Sequence, residues 1–418
     1  MQYSIYITMC IYILTIYIIT DIVALGKEVS MYKGFKVKIY PNKEQQTKLF
    51  QFFGAARFAY NWTIAKEEEN YKQGNNFLNK THITKIWKVE KKNYPWAKEI
   101  SGRAFRGGIY DALDAYDRFF KHLANKPCYK KKKYSHLSCS THEENTLIER
   151  NRIKFEKLGW VKCHNDIPCT WSIHSNGRSM TNKTLCNPRL SYDGVDFWFS
   201  VSIDIESEFI KNQEQTEAIG IDLGIKKLAT DSSKIDCIKP NVRKDKKKLK
   251  RLQKRSSRYY EKRLQESKRT KTKLSKIPKS KNLIKLEREI NKVYRRIDNK
   301  LTTNIHEYTT HLVKLNPKAI CIEDLNISGM KKNRHLSKKV NEAKFYEFRR
   351  QLTYKCEQYK VPLIIADRWY ASSKICNCCG HKKQQLSLSE RTYVCEECGY
   401  IEDRDYNASL NLRDLAYN

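Results

Sequence analysis

Ala218-Ile219-Gly220-Ile221-Asp222-Leu223-Gly224-Ile225-Lys226-Lys227-Leu228-Ala229-Thr230 reads as an apolar strand, a tight Gly turn and a second short strand. Asp222 sits at the end of the first strand. A carboxylate removed from water is costly unless a cation meets it. Two readings stand: a turn Asp in a hairpin, or one ligand of a catalytic metal site. The second needs further acids downstream.

The chain supplies them. Ala319-Ile320-Cys321-Ile322-Glu323-Asp324-Leu325-Asn326 is again an apolar strand ending in acid, with Glu323 as the candidate ligand and Asp324 expected to cap the next turn. A third strand, Val361-Pro362-Leu363-Ile364-Ile365, leads to Asp367. Near the C-terminus, Asp403-Arg404-Asp405-Tyr406-Asn407-Ala408 places Asp405 at the opening of a helix expected to begin with Asn407 and Ala408. Asp222, Glu323 and Asp405 can converge in a ribonuclease H-like fold. Hard oxygen ligands suit Mg²⁺. Two such ions, about 3.5–4 Å apart, serve phosphodiester cleavage by activating water and stabilising the leaving oxygen.

Cys376-Asn377-Cys378-Cys379-Gly380 and Cys395-Glu396-Glu397-Cys398-Gly399 are two Cys-x-x-Cys knuckles at the spacing of a zinc ribbon. Cys376, Cys379, Cys395 and Cys398 are the expected Zn²⁺ ligands; Cys378 is a bystander or an exchange partner for its neighbour. Four thiolates leave no open coordination position, so this zinc is structural. The other ten of the 14 cysteines are scattered, which suits a reducing compartment and excludes a secreted disulfide framework.

The 418 residues carry 81 Lys+Arg against 46 Asp+Glu, a formal net charge of +35. A field of that sign and size points to a polyanion, most simply nucleic acid. Residues 1–20 are apolar, Tyr-rich and uncharged. They approach the length of a membrane span but lack the basic start and cleavage site of a signal peptide. Residues 1–30 are read as an extension outside the fold, with Met31 as a functional start; a membrane anchor is the alternative.

Gly34-Phe35-Lys36-Val37-Lys38-Ile39-Tyr40 alternates as a strand, and Asn42 with Gln45 predicts a helix opened by a capping box. Leu49, Phe52, Phe53, Ala56, Tyr60 and Ile64 repeat at helical spacing, and a second helix is expected from Ile109 through Phe120. These aromatics are read as core rather than a base-stacking surface. After a basic loop, Lys126 to Lys133, the pattern turns to short strands: Ile153-Lys154-Phe155, Trp160-Val161-Lys162, and a pair joined at Asp193-Gly194. A small β-barrel or sheet interrupted by helices is expected. From Lys239 the chain is helical and very basic, with Lys247, Lys248, Lys250, Arg251, Lys254 and Arg255 in one cationic run. Beyond Pro278, apolar residues from Leu283 to Leu315 predict one long amphipathic helix. The two arms form a helical hairpin, either a solvated charged pair or a phosphate-backbone surface.

In this order the motifs resemble the TnpB (OrfB) family of insertion-sequence proteins, relatives of type V CRISPR nucleases and of the eukaryotic Fanzor proteins. The matching pieces include Lys36-Val37-Lys38-Ile39-Tyr40-Pro41, Arg57-Phe58-Ala59-Tyr60-Asn61-Trp62, Gly220-Ile221-Asp222-Leu223-Gly224, Glu323-Asp324-Leu325-Asn326, Ser372-Ser373-Lys374-Ile375-Cys376, the second knuckle and Asp403-Arg404-Asp405-Tyr406-Asn407-Ala408. The resemblance covers nearly everything after about residue 31. It implies an α/β multidomain protein: a wedge-like β-barrel (31–45 and 126–213) with an inserted helical recognition domain (46–125). A RuvC-like nuclease domain (214–370, closed by 401–418) would follow, with a zinc ribbon (371–400) inserted. It implies an RNA-guided, Mg²⁺-dependent DNA endonuclease with Asp222, Glu323 and Asp405 as catalytic acids, Asp403 replacing Asp405 if the last motif is shifted by two. Guide RNA and target DNA are then the partners, contacted by Arg57 and the basic run, with no stable protein partner evident and an intracellular location with DNA. A silent nucleic-acid-binding descendant of the family is the alternative. A sugar-kinase- or chaperone-like ATPase also opens with Gly-Ile-Asp-Leu-Gly, but no second Gly-rich phosphate loop is evident and the zinc pattern would be unexplained.

Overall fold

The computed structural model describes residues 31–132, 135–164, 171–173, 179–181, 185–205, 214–387 and 390–417. The apolar extension, and with it the membrane-anchor alternative, lies outside them. Among the described residues no helix is long and apolar enough to cross a membrane. The chain divides into two compact units, Met1–Ser207 and Glu208–Asn418.

In the first unit, seven antiparallel strands form one sheet in the order β2-β8-β9-β1-β5-β4-β3. Its longest members are β1 (Met31–Tyr40), β8 (Leu185–Tyr192) and β9 (Phe197–Ile205). The others are β2 (Leu137–Ser140), β3 (Leu147–Glu149), β4 (Arg152–Phe155) and β5 (Gly159–Cys163), while β6 (Trp171–Ile173) and β7 (Ser179–Thr181) pair in a separate two-stranded sheet. Alternation sets the register: Val37 and Ile39 of β1, and Phe197, Phe199, Val201 and Ile203 of β9, all point into the core. The Asp193-Gly194 turn joins β8 to β9, with Gly194 at φ +88° and the Asp193 carboxylate accepting the N–H groups of Val195 and Asp196. Among the described residues no pairing joins β2 to β3, so of the expected small β-barrel or sheet it is a sheet that is seen; both edge strands are only three or four residues long.

Helix α1 (Lys43–Lys72) begins with the expected capping box, Asn42 and Gln45 bonding reciprocally. α2 (Lys80–Glu90) follows, and α3 (Gly102–Phe120) starts seven residues before the expected Ile109 because Ser101 caps it. α3 crosses α1 at Gly108, where a Cβ would stand 2.3 Å from the Ala56 carbonyl oxygen. The helices and the sheet share one core, in which Phe52, Phe53, Phe105, Phe155 and Phe199 are buried. The aromatics at helical spacing in α1 are thus core. Asn61 both donates to and accepts from the Lys130 backbone, which pins the basic loop to α1.

The second unit is built on five strands in the order β12-β11-β10-β13-β14. β10 (Ile219–Leu223), β11 (Ala229–Asp231) and β12 (Asp236–Cys237) run antiparallel; β13 (Ile320–Glu323) and β14 (Leu363–Ala366) continue from β10 in parallel. The basic arms are α4 (Arg243–Arg269) and α5 (Lys281–Lys314), packed through Leu252, Leu286 and Val293. The last turns of α5 bury Ile305, Tyr308 and Leu312 with Phe345, Phe348 and Leu352 of α8 (Phe345–Tyr359). Short helices α6 (Ile327–Lys332) and α7 (Ser337–Ala343) precede α8. The hairpin β15 (Thr392–Val394) and β16 (Ile401–Asp403) then leads into α9 (Arg404–Leu415).

Candidate active site

Parallel pairing sets the first two acids side by side. Ile221 of β10 is level with Ile322 of β13, so Asp222 and Glu323 are the next residues on adjoining strands, a separation of about 4.8 Å between chains. The third acid arrives on α9. Gly220 and Asp222 lie on one face of β10, and a Cβ on Gly220 would come within 2.0 Å of the Ser409 carbonyl oxygen and 2.2 Å of the Arg413 nitrogen. The missing side chain lets the helix backbone lie directly on the strand. Four residues before Ser409, one turn along the same face, is Asp405.

Asp222 and Glu323 both feel the charge of Asp405. Burial raises Asp222 well above the ordinary carboxyl range, and Glu323 and Asp405 raise it further. Burial also raises Glu323, with Asp405 adding to it while a hydrogen bond from Ser372 Oγ to Glu323 Oε1 at 2.7 Å opposes. Pairing between the two carboxyls raises Asp222 and lowers Glu323. Arg404 lowers both, and Arg391 stands 3.6 Å from Asp405. Asp403 is exposed and accepts the N–H groups of Asp405 and Tyr406, each at 3.0 Å. It is the N-cap of α9, so the helix starts at Arg404, earlier than the expected Asn407, and Asp405 is the acid of the two whose charge acts on Asp222. Asp324 does not cap the following turn either: Arg349 (2.8 Å) and Arg368 (2.5 Å) hold its carboxylate, and Asn326 caps α6 instead.

The four expected cysteines do meet. Cys376 and Cys398 sulfurs are 3.7 Å apart, Cys379 and Cys395 sulfurs 3.6 Å, and all four lie within 4.8 Å of one another. A tetrahedral ion with bonds of about 2.3 Å has sulfur–sulfur edges of roughly 3.8 Å, so the set could hold zinc. The Cys398 backbone N–H, above all, lowers the Cys395 thiol to about 6. Gly380 (φ +75°) and Gly399 (φ +72°) make the turns that close each knuckle. Cys378 is exposed and outside the set. Among the described residues the cysteines are the one group drawn together closely enough to hold an ion; Asp222, Glu323 and Asp405 do not form such a group.

Lys247, Lys250, Arg251, Lys254 and Arg255 are exposed on α4, with Lys248 half-buried near Glu289. Arg57 is half-buried on α1, in the first unit. Sequence reasoning gave no role to Gly220, Ser372, Asn407 or Asn411, although each stands in a motif quoted above or directly after one.

A family model described as "Probable transposase" matches residues 200–334, and a "Helix-turn-helix domain" model of the same OrfB series matches residues 31–76. The chain is similar to the TnpB (OrfB) family. In this chain the span 31–76 is β1 followed by the single helix α1. A third model, "Cas12f1-like, TNB domain", matches residues 345–412 and so holds all four cysteines and Asp405. Among TnpB relatives, a "Putative RNA-guided DNA endonuclease" of Streptomyces pristinaespiralis is 29% identical over 391 residues, spanning 91% of this chain and 88% of that protein. "Putative RNA-guided DNA endonuclease InsQ" of Escherichia coli K12 is 27% identical over 401 residues, spanning 91% of each. In fold, the chain is similar to Cas12f1 as solved in its complex with sgRNA and target DNA, with a TM-score of 0.52 at 12% identity over 92% of this chain and 99% of that one.

Proposed function

We propose that this TnpB-like protein is an RNA-guided, Mg²⁺-dependent DNA endonuclease of a mobile element, acting inside the cell. The observation that carries the reading is that Asp222 and Glu323 stand side by side at one end of the β10–β13 pair, with Asp405 near enough to make both costlier to ionise. Crowded acids of this kind are stabilised by divalent cations. Asp222, Glu323 and Asp405 would hold Mg²⁺, which when bound supplies Lewis-acid polarisation of the phosphate and activation of water. Ser372 orients Glu323, and Arg404 and Arg391 offset part of the negative charge. Three antiparallel strands continued by two parallel ones support a ribonuclease H-like (RuvC) core across 214–370 and 401–418. The knuckles of 371–400 would hold structural Zn²⁺ through Cys376, Cys379, Cys395 and Cys398.

In this reading base pairing with a guide reads the target sequence and the protein supplies backbone contacts. The exposed cations of α4, Lys247, Lys250, Arg251, Lys254 and Arg255, are placed for that task, with Lys248 and Arg57 as partly buried contributors. The sheet and helices of 31–213 would form the wedge and recognition parts.

The test is cleavage of a guide-matched DNA by the purified protein with its copurifying RNA and Mg²⁺. Asp222→Ala should abolish cutting while leaving salt-sensitive nucleic-acid binding intact. Binding with no cleavage by the unaltered protein under any divalent metal would refute the nuclease and select a silent binding protein.

A further inference from the structure

The last helix, α9, is gripped from two opposite sides. Asp405, Ser409 and Arg413 recur at four-residue steps on the side that lies on β10. Asn407 stands about 200° round the helix from Asp405, and with Asn411 and Asp414 it meets the first cysteine knuckle. The Asn377 backbone N–H donates to Asn407 Oδ1 at 3.1 Å, and its Nδ2 donates to Asn411 Oδ1 at 3.2 Å and to Asp414 Oδ2 at 2.6 Å. In return Asn407 Nδ2 donates to the Ile375 carbonyl at 2.8 Å. Asn411 Nδ2 donates to the carbonyls of Ile375 and Ser372, at 2.7 and 2.8 Å.

An amide side chain donates and accepts from one planar group, so three asparagines can satisfy this contact where apolar residues could not. Asn407 is 0% exposed and Asn411 4%; buried bonds of this kind are directional and hold their partners in register. The segment they grip, 372–377, also touches both candidate metal sites. Ser372 donates to Glu323 at 2.7 Å, and Cys376 belongs to the sulfur set, 3.7 Å from Cys398.

The geometry points to a coupling between the two sites: the cysteine knuckle, through Asn377, Asn407 and Asn411, sets the position of Asp405 and with it the affinity of the carboxylate site for divalent cations. Asn377 is then a positioning residue for the reaction, and the knuckle is more than a stabilising staple. The inference rests on the reading of Asp222, Glu323 and Asp405 as a divalent-cation site.

Asn377 is half-exposed, so Asn377→Ala should fold. The full-length protein with its copurifying RNA is titrated with Mn²⁺ and the free ion followed by electron paramagnetic resonance, with zinc content measured in parallel. The variant is expected to keep its zinc and its RNA, and to bind Mn²⁺ about tenfold more weakly at the site that Asp222→Ala removes. Half-maximal cleavage should need about tenfold more Mg²⁺, with KM for target DNA unchanged. Asn377→Asp combined with Asp414→Asn, which exchanges donor and acceptor across one of the bonds, should restore part of the affinity. Unchanged Mn²⁺ affinity and Mg²⁺ dependence in Asn377→Ala, whatever its melting temperature, overturns the coupling and leaves the nuclease reading standing. Absence of an Asp222-dependent Mn²⁺ site in the unaltered protein overturns both.

Discussion

Gly220→Ala tests how the third acid reaches the other two. The added Cβ would stand 2.0 Å from the Ser409 carbonyl oxygen and 2.2 Å from the Arg413 nitrogen, where ordinary contact begins at 3.4 Å. Strand and helix must therefore part by about 1.4 Å, the difference between 3.4 and 2.0 Å. β10 is held by neighbours on both sides, β11 and β13, so the helix is the element that gives. Overpacking of this kind costs about 1–3 kcal/mol, or roughly 2–4 °C in melting temperature per kcal/mol for a unit of this size. Asp405 rides on the displaced helix, and a misplacement of about 1 Å can lower the rate by roughly 100-fold. Gly54→Ala is the control: it lies inside α1 with nothing within 4 Å of the new methyl, and helix propensity alone predicts a gain of about 0.5–1 kcal/mol. Thermal denaturation and guided cleavage, measured on both variants, decide the matter. A Gly220→Ala protein with unchanged stability and full cleavage would refute the account of how α9 is seated.

Glu67 gives a pH-dependent stability. Burial raises its carboxyl above the ordinary value, against a 3.3 Å hydrogen bond from the Leu78 N–H. An acid raised in the folded state contributes stability that is full below its unfolded value, near pH ~4.3, and lost as pH rises through the folded one. Glu67→Gln keeps the acceptor without the charge, so it should exceed the parent by ~1 kcal/mol at pH 7 and lose that advantage below about pH 4. Chemical denaturation at the two pH values checks this; an advantage that persists in acid contradicts it. Trp369 is 86% exposed on a loop clipped at both ends, by Arg368 to Asp324 at 2.5 Å and by Ser372 to Glu323 at 2.7 Å. Base stacking on an aromatic ring is worth about 1–3 kcal/mol, so Trp369→Ala should raise KM for a single-stranded substrate roughly tenfold with kcat little changed. Trp369→Phe should keep most of the affinity; an unmoved KM in the alanine variant removes Trp369 from the substrate path.

Much of the candidate site was legible because its signals are local or strictly spaced. The acids after apolar runs at Asp222 and Glu323, and the paired cysteines, announce themselves by residue type. Asp403 and Asp405, two apart, could not be told from each other until the cap was seen, since either can open a helix; the N–H groups of Asp405 and Tyr406 settle on Asp403. Asp324 misled for a related reason. An Asp before Leu-Asn reads as a turn cap, yet Arg349 and Arg368, distant in sequence, outcompete the local backbone for its carboxylate. The short alternating strands left a small β-barrel and a sheet both open, because alternation reports which face is buried and says nothing about whether the two edge strands meet.

Residue order alone specified what depends on neighbours a few residues away: the Asn42–Gln45 capping box, the Asp193-Gly194 turn, the helical hairpin of basic arms and the paired cysteines of the knuckles. Tertiary structure alone decided the pairing of Ile221 with Ile322, the crossing of α9 over Gly220 and the asparagine contacts that hold α9 from its other side. The reason is physical. Caps and turns are satisfied within one or two turns of chain, whereas buried parallel strands carry no alternation to mark their register, and the packing of the whole unit selects it.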